Sequence, residues 1–111
     1  MHCLSVTYRV PHLSPEALEA AFDEARPAVA AVPGLGLKLW LADPGRRAYG
    51  GVYVFESQEA ADAYVSSSFF RAAVRDNPHF TDLEVRRHAL LVEPTQATGR
   101  WLRLPAAATA A

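Results

Sequence analysis

The chain has 111 residues, enough for one domain of common size and too few for two with separate cores. Half of the residues are hydrophobic and 21% are charged, a globular composition that excludes a disordered chain. A net charge of −1 provides no basic footprint for nucleic acid or for an anionic membrane, so neither is expected as a partner.

No run of about 18 apolar residues is present to span a bilayer. The first residues lack the basic and apolar regions of a signal peptide, and the expected location is cytoplasmic. The single cysteine, Cys3, falls inside an alternating segment and reads as a small buried hydrophobe.

His2 to Val10 alternates, with Leu4, Val6, Tyr8 and Val10 on one side, and predicts a first strand. Ser14-Pro15-Glu16 then opens a helix: a capping hydroxyl, a proline suited to the first helical position, and an acid at the positive end of the dipole. Leu18, Ala21, Phe22, Ala25 and Val29 form its apolar stripe to about Val32. Pro27 is expected to kink it and Pro33-Gly34 to stop it.

Pro33 to Phe55 reads as a β-hairpin. Leu35, Leu37, Leu39 and Leu41 alternate with Gly36, Lys38, Trp40 and Ala42, and the chain returns through Tyr49 to Phe55, rich in aromatic and β-branched residues. Asp43-Pro44-Gly45-Arg46 supplies the turn, with Gly45 expected at the positive φ of a type II geometry. Both faces of the hairpin carry bulky apolar groups. Helices can cover one face, and a second copy of the chain is the expected cover for the other, hence a homodimer.

Ser57-Gln58-Glu59 starts a second helix with Ala60, Ala63 and Tyr64 facing inward, ending in the serines at 66 to 68. Phe69 to Asp76 predicts a further helical segment stopped by Asn77-Pro78. Thr81 to Val92 predicts the fourth strand, with Leu83, Val85, Arg87, Ala89 and Leu91 on one face and Glu84, Arg86, His88, Leu90 and Val92 on the other, ended by Glu93-Pro94. The domain is therefore expected over residues 1–98, followed by a tail, 99–111, disordered after about residue 105. Trp101, Leu102 and Leu104 of that tail are expected to pack on the body or on a partner subunit.

The order β-α-β-β-α-β is α+β, the ferredoxin-like split βαβ arrangement: a four-stranded antiparallel sheet with its helices on one face. Pro33-Gly34, Lys38-x-Trp40, Gly50-Gly51-x-Tyr53-x-Phe55, Ala63-Tyr64 and Glu93-Pro94 resemble the signature region of the YdhR-like monooxygenase family of the dimeric α/β-barrel superfamily. The resemblance covers residues 33 to 95 well and the first strand loosely. It implies a dimeric α/β barrel and oxygenase chemistry on a small molecule. The tail beyond Thr98 departs from the family pattern. Haem-degrading members of the superfamily carry a tryptophan and a histidine around the helix after the third strand; this chain has Tyr64 and Ser67 or Ser68 there, and haem is not expected.

The histidines at 2, 12, 79 and 88 share no ligand spacing, so no metal site is expected. Gly34-x-Gly36 precedes a strand and lacks the rest of a dinucleotide fingerprint. The candidate chemistry rests on aromatic and titratable side chains. Trp40, Tyr64, Phe69 and Tyr8 are the expected substrate-binding residues, although packing alone accounts for any one of them. His88, mid-strand among apolar neighbours, is the expected general base, with Tyr53 beside it and Arg86 as a positive group for a bound phenolate. Lys38 reads as a surface or dimer-contact residue.

The expected function is a cofactor-independent monooxygenase acting on an aromatic or polyketide-like phenol. A polyketide cyclase or isomerase, which asks for the same base and donors, and a non-catalytic small-molecule-binding protein are the alternatives.

Overall fold

The computed structural model describes residues 1–101. Four strands, β1 (His2–Arg9), β2 (Leu35–Asp43), β3 (Ala48–Phe55) and β4 (Thr81–Ala89), pair antiparallel in the order β2-β3-β1-β4. Helices α1 (Pro15–Ala30) and α2 (Gln58–Val65) follow β1 and β3. This is the ferredoxin-like arrangement read from the sequence.

Alternation decides which face is buried. Leu4, Val6 and Tyr8 of β1 stand opposite Tyr53, Gly51 and Tyr49 of β3, and all of these but the glycine belong to the core beneath the helices. Val6 also stands opposite Val85 of β4. Phe55 and Phe70 are fully buried there. Each large apolar side chain so placed contributes about 1.5–3 kcal/mol by removal from water.

Both helices start as their capping residues dictate. Ser14 accepts from the Ala17 amide at 3.1 Å and Ser57 from the Ala60 amide at 3.1 Å. α1 runs unbroken through Pro27 to Ala30 and buries Leu18 and Val29. α2 buries Ala61 and Tyr64; Ala63, expected inward, is exposed, because a helix of eight residues offers the core only one side.

Ser67 caps a short turn, α3 (Ser68–Phe70), by accepting from the Phe70 amide, and its hydroxyl donates to the Tyr64 carbonyl at 2.6 Å. The chain continues as a π-helical turn, Arg71–Arg75, which buries Val74 and ends ahead of Asn77-Pro78.

The hairpin differs from its expected form in two places. Pro44–Arg46 forms a 3-10 turn, and the positive φ falls on Arg47, at 52°, not on Gly45. The Arg47 guanidinium donates to the Leu13 carbonyl at 2.9 Å and so holds this conformation. At the other end, the pairing shifts between Leu35 and Leu37, leaving Gly36 as an extra residue on the edge strand. Leu35 thereby turns toward the core beside Phe55, whereas Leu37, Leu39 and Leu41 stay on the opposite face with Val52 and Val54. Alternation alone puts all four leucines together.

β4 ends at Ala89, short of the expected Val92, and Val92–Thr98 is a helix, α4, with Glu93 in its first turn. Proline is tolerated in the opening turn of a helix, so Glu93-Pro94 lies within an element where it was expected to end one. Trp101 is 96% exposed and does not pack on the body of the chain. The expected disorder after residue 105, and the contacts of Leu102 and Leu104, lie outside the described residues. No helix among the described residues is long and apolar enough to cross a membrane.

Candidate active site

Between the sheet and α1 lies a cavity of about 240 Å³. Its floor is Tyr8 of β1, Lys38 and Trp40 of β2 and Tyr53 of β3; its roof is Leu18, Phe22 and Val29 of α1; Tyr64, Phe69, Val74 and Phe80 close one side. The register puts the floor residues on one face, since Lys38 pairs with Tyr53 and Trp40 with Gly51, while Tyr53 pairs with Leu4.

The walls are held by ring contacts. Tyr8 and Phe80 stack with centroids 3.9 Å apart, Phe22 meets Trp40 at 5.3 Å, and Tyr53 meets Tyr64 at 5.2 Å. At the rim, Asn77 fixes the turn before β4: its amide donates to the Ala73 carbonyl at 3.0 Å and its oxygen accepts from the His79 backbone at 2.9 Å. His79 is exposed on this turn and is the one histidine on the wall.

The polar groups inside differ sharply in what they can do. The Tyr64 hydroxyl donates to the Tyr53 hydroxyl at 3.3 Å. Burial, with the neighbouring phenol in each case, raises Tyr53 and Tyr8 far above the ordinary tyrosine range, and burial raises Tyr64. The three phenols are therefore neutral hydrogen-bond donors at physiological pH. Lys38 moves the other way: burial lowers it to about 8. Its Nζ lies 3.4 Å from the Trp40 ring centroid and 4.7 Å from that of Tyr53.

Five of the seven site residues expected from the sequence, Tyr8, Trp40, Tyr53, Tyr64 and Phe69, stand on this one wall. The other two do not. His88 pairs with Cys3 and Arg86 with Ser5, so both project from the face of the sheet that the helices leave uncovered, and both are exposed. Arg86 forms an ion pair with Glu84 at 3.3 Å. Strand alternation already separated Arg86 and His88 from Arg87, but which set faced the helices depended on pairing with β1. Arg87 faces α2, where it binds Asp62. Lys38, read as a surface or dimer-contact residue, also lines this cavity, and sharing Trp40's face was the signal for that. Phe22 was marked by the apolar stripe of α1 as facing the sheet, whereas Asn77, His79 and Phe80 carry no sequence pattern that marks them as wall residues.

Among side chains that can ligate iron, the wall offers His79 at its rim and the three tyrosines. Its volume lies just below the roughly 300–1,000 Å³ of sites for drug-sized ligands, the size of a compact aromatic compound. Among the described residues, no group of three potential metal ligands comes together.

The ferredoxin-like sheet with its helices on one face is the fold of solved proteins described as antibiotic biosynthesis monooxygenases. The chain is similar to NE2512 of Nitrosomonas europaea, a protein of unknown function (18% identity over 95% of this chain and 94% of that one, TM-score 0.69). It is also similar to SnoaB of Streptomyces nogalater, a cofactor-independent oxygenase (15%, 81% and 92%, TM-score 0.65), and to the haem-degrader MhuD of Mycobacterium tuberculosis (24%, 84% and 98%, TM-score 0.64). No match is found among curated proteins. The family model described as "Putative mono-oxygenase ydhR" matches residues 3–99, and the chain belongs to that family.

Proposed function

We propose that the protein is a cofactor-independent monooxygenase that oxidises a compact aromatic or polyketide-like phenol in the cavity beneath α1. The observation that carries this reading is the composition of the wall: aromatic rings enclose a small space into which neutral phenols and the Lys38 amine bring polar atoms, with Asn77 and His79 at the rim. SnoaB, with the same fold, supports it as an analogy.

Such a reaction asks little of a protein. The substrate must ionise, its anion must be held away from water, and oxygen must reach it. The electron-rich anion gives one electron to O2, the radical pair closes a carbon–oxygen bond, and protonation with loss of water leaves a carbonyl on a carbon that carried hydrogen. Tyr53, held neutral by burial and accepting from the Tyr64 hydroxyl, keeps its own O–H to donate to the anionic oxygen. Trp40, Phe69 and the Tyr8–Phe80 stack sandwich the ring.

The test is oxygen uptake with a panel of compact di- and trihydroxylated aromatics under metal-free conditions. Uptake matched to substrate loss is the expected result. Conversion at the same rate without oxygen would replace the reading with the cyclase or isomerase alternative, and binding without conversion would leave a carrier. The protein is further proposed to act as a homodimer through the uncovered sheet face.

A further inference from the structure

We propose that Lys38 takes the proton from the substrate's phenol or enol and then remains beside the anion as its ammonium counter-ion. This rests on reading the cavity as the site of an ionisable aromatic compound, and it moves the base from β4, where His88 faces away, to the edge strand β2.

Lys38 has no carboxylate partner among the described residues. Its amine projects into the cavity, yet among the described residues the ion pairs are Arg26 with Asp23, Arg86 with Glu84 and Arg87 with Asp62. Lys38 has the faces of Trp40 and Tyr53 instead of a carboxylate. Ring faces compensate an ammonium only in part, so the charged form lacks an anion that a bound phenolate would supply.

The fold also makes room for it. A Cβ on Gly51 would come within 2.7 Å of the Lys38 Cε, so the lysine stem lies across the gap that this glycine leaves in β3. That gap brings the amine over the sheet and under α1, where an edge-strand lysine would otherwise extend into water.

The groups facing it leave it alone in its role. Tyr53 of β3, Tyr8 of β1 and Tyr64 of α2 are held protonated by burial. His79 stands on the exposed rim, and Glu19, Asp23 and Arg26 of α1 line an adjoining depression on the other side of Phe22 and Trp40, the two rings it shares with the cavity. With its affinity for a proton lowered by burial, Lys38 is a base in the range where phenols ionise. The step balances: the phenolic O–H breaks, the amine nitrogen gains the proton, and the pair becomes phenolate and ammonium.

The experiment uses the full chain and 2-naphthol, whose anion absorbs at longer wavelength than the neutral form, at a pH of about 8.5, where free naphthol is neutral and Lys38 is mostly unprotonated. The wild type is expected to bind it as naphtholate with no proton released to solvent. Lys38→Arg keeps the charge but cannot accept a proton, so it should bind naphtholate and release one proton per site. Lys38→Met should lose the anion band and bind about 10-fold or more weakly, the scale of one charge-assisted hydrogen bond.

Absence of the anion band in the wild type, whether from neutral binding or from none, overturns the proposal, as does an equal band in Lys38→Met. Equal proton release by wild type and Lys38→Arg overturns the base role. The two readings fail separately: naphtholate held without oxygen uptake from any phenol retires the oxygenase and keeps Lys38, whereas oxygen uptake undiminished in Lys38→Met does the reverse.

Discussion

The Tyr64 hydroxyl donates to the Tyr53 hydroxyl across 3.3 Å, joining α2 to β3 at the wall of the cavity. Tyr53 is 2% exposed, and its ring contacts survive replacement by phenylalanine, so Tyr53→Phe removes an oxygen and leaves the packing. The expected cost in stability is about 1 kcal/mol, one hydrogen bond. The expected loss in turnover is about 100-fold, the scale of one preorganised donor to a developing anion. His88→Ala provides the contrast. On the far face of the sheet it should hold turnover within about threefold, against the 100-fold or greater loss that follows removal of a general base. Steady-state kinetics on the two variants separates these outcomes.

Stability should carry the mark of Lys38. In the unfolded chain the lysine keeps its proton to about 10.5, whereas in the fold it releases it at about 8. Between these values the unfolded state binds more protons, so stability rises with pH. Below about 8 both states are protonated and the contribution is flat and unfavourable. Urea unfolding of wild type and Lys38→Met should therefore show a difference that moves in favour of the wild type from pH 8 to 10. A parallel pair of curves would mean that the amine is fully hydrated.

Gly34 ties the hairpin to α2 and should be intolerant of any side chain. Its φ of +77° is left-handed, and a Cβ would come within 2.5 Å of the Ala60 Cβ. Its carbonyl also accepts from the Glu56 amide at 2.9 Å, which fixes the entry to α2. Gly34→Ala combines backbone strain with overpacking, each worth about 1–3 kcal/mol. Thermal unfolding should show a large drop in Tm; a shift of only a degree or two would contradict the close approach.

The strands, capping serines and helix order were legible because local chemistry decides them: Ser14 and Ser57 cap where expected, and β1 buries the set Leu4, Val6, Tyr8. The site was legible only as far as face assignment allowed. Period two groups His88 with Arg86, but pairing with Cys3 and Ser5, a contact distant in sequence, decides that they face away from the helices. The Gly36 bulge is similarly invisible to alternation, and it sends Leu35 to the core while Leu37 stays outside. The place of Lys38 on the cavity wall was not legible for another reason: a lysine is exposed by default, and only the gap at Gly51 shows where its stem goes.

The uncovered sheet face divides into two halves. Glu84, Arg86 and His88 of β4 make one end polar, while Leu37, Leu39 and Leu41 of β2 with Val52 and Val54 of β3 make the other apolar. Leu39 is 47% exposed and Leu41 41%, and neighbouring leucines left in water on a flat sheet forgo about 1.5–3 kcal/mol apiece relative to burial. A second copy packed face to face is the expected cover. Trp101, at 96% exposure on its own subunit, is expected to find its contact on that partner. Sedimentation velocity at micromolar concentration should give a dimer for the wild type. Leu39→Glu should give a folded monomer, because a carboxylate in the middle of the apolar half would be buried without a cation. Truncation after Thr98 should weaken the dimer while leaving the far-ultraviolet circular dichroism of the domain unchanged. A monomeric wild type would leave the leucine face without a cover, and an unaltered dimer in Leu39→Glu would move the interface elsewhere, the exposed edge of β2 being the next surface to test.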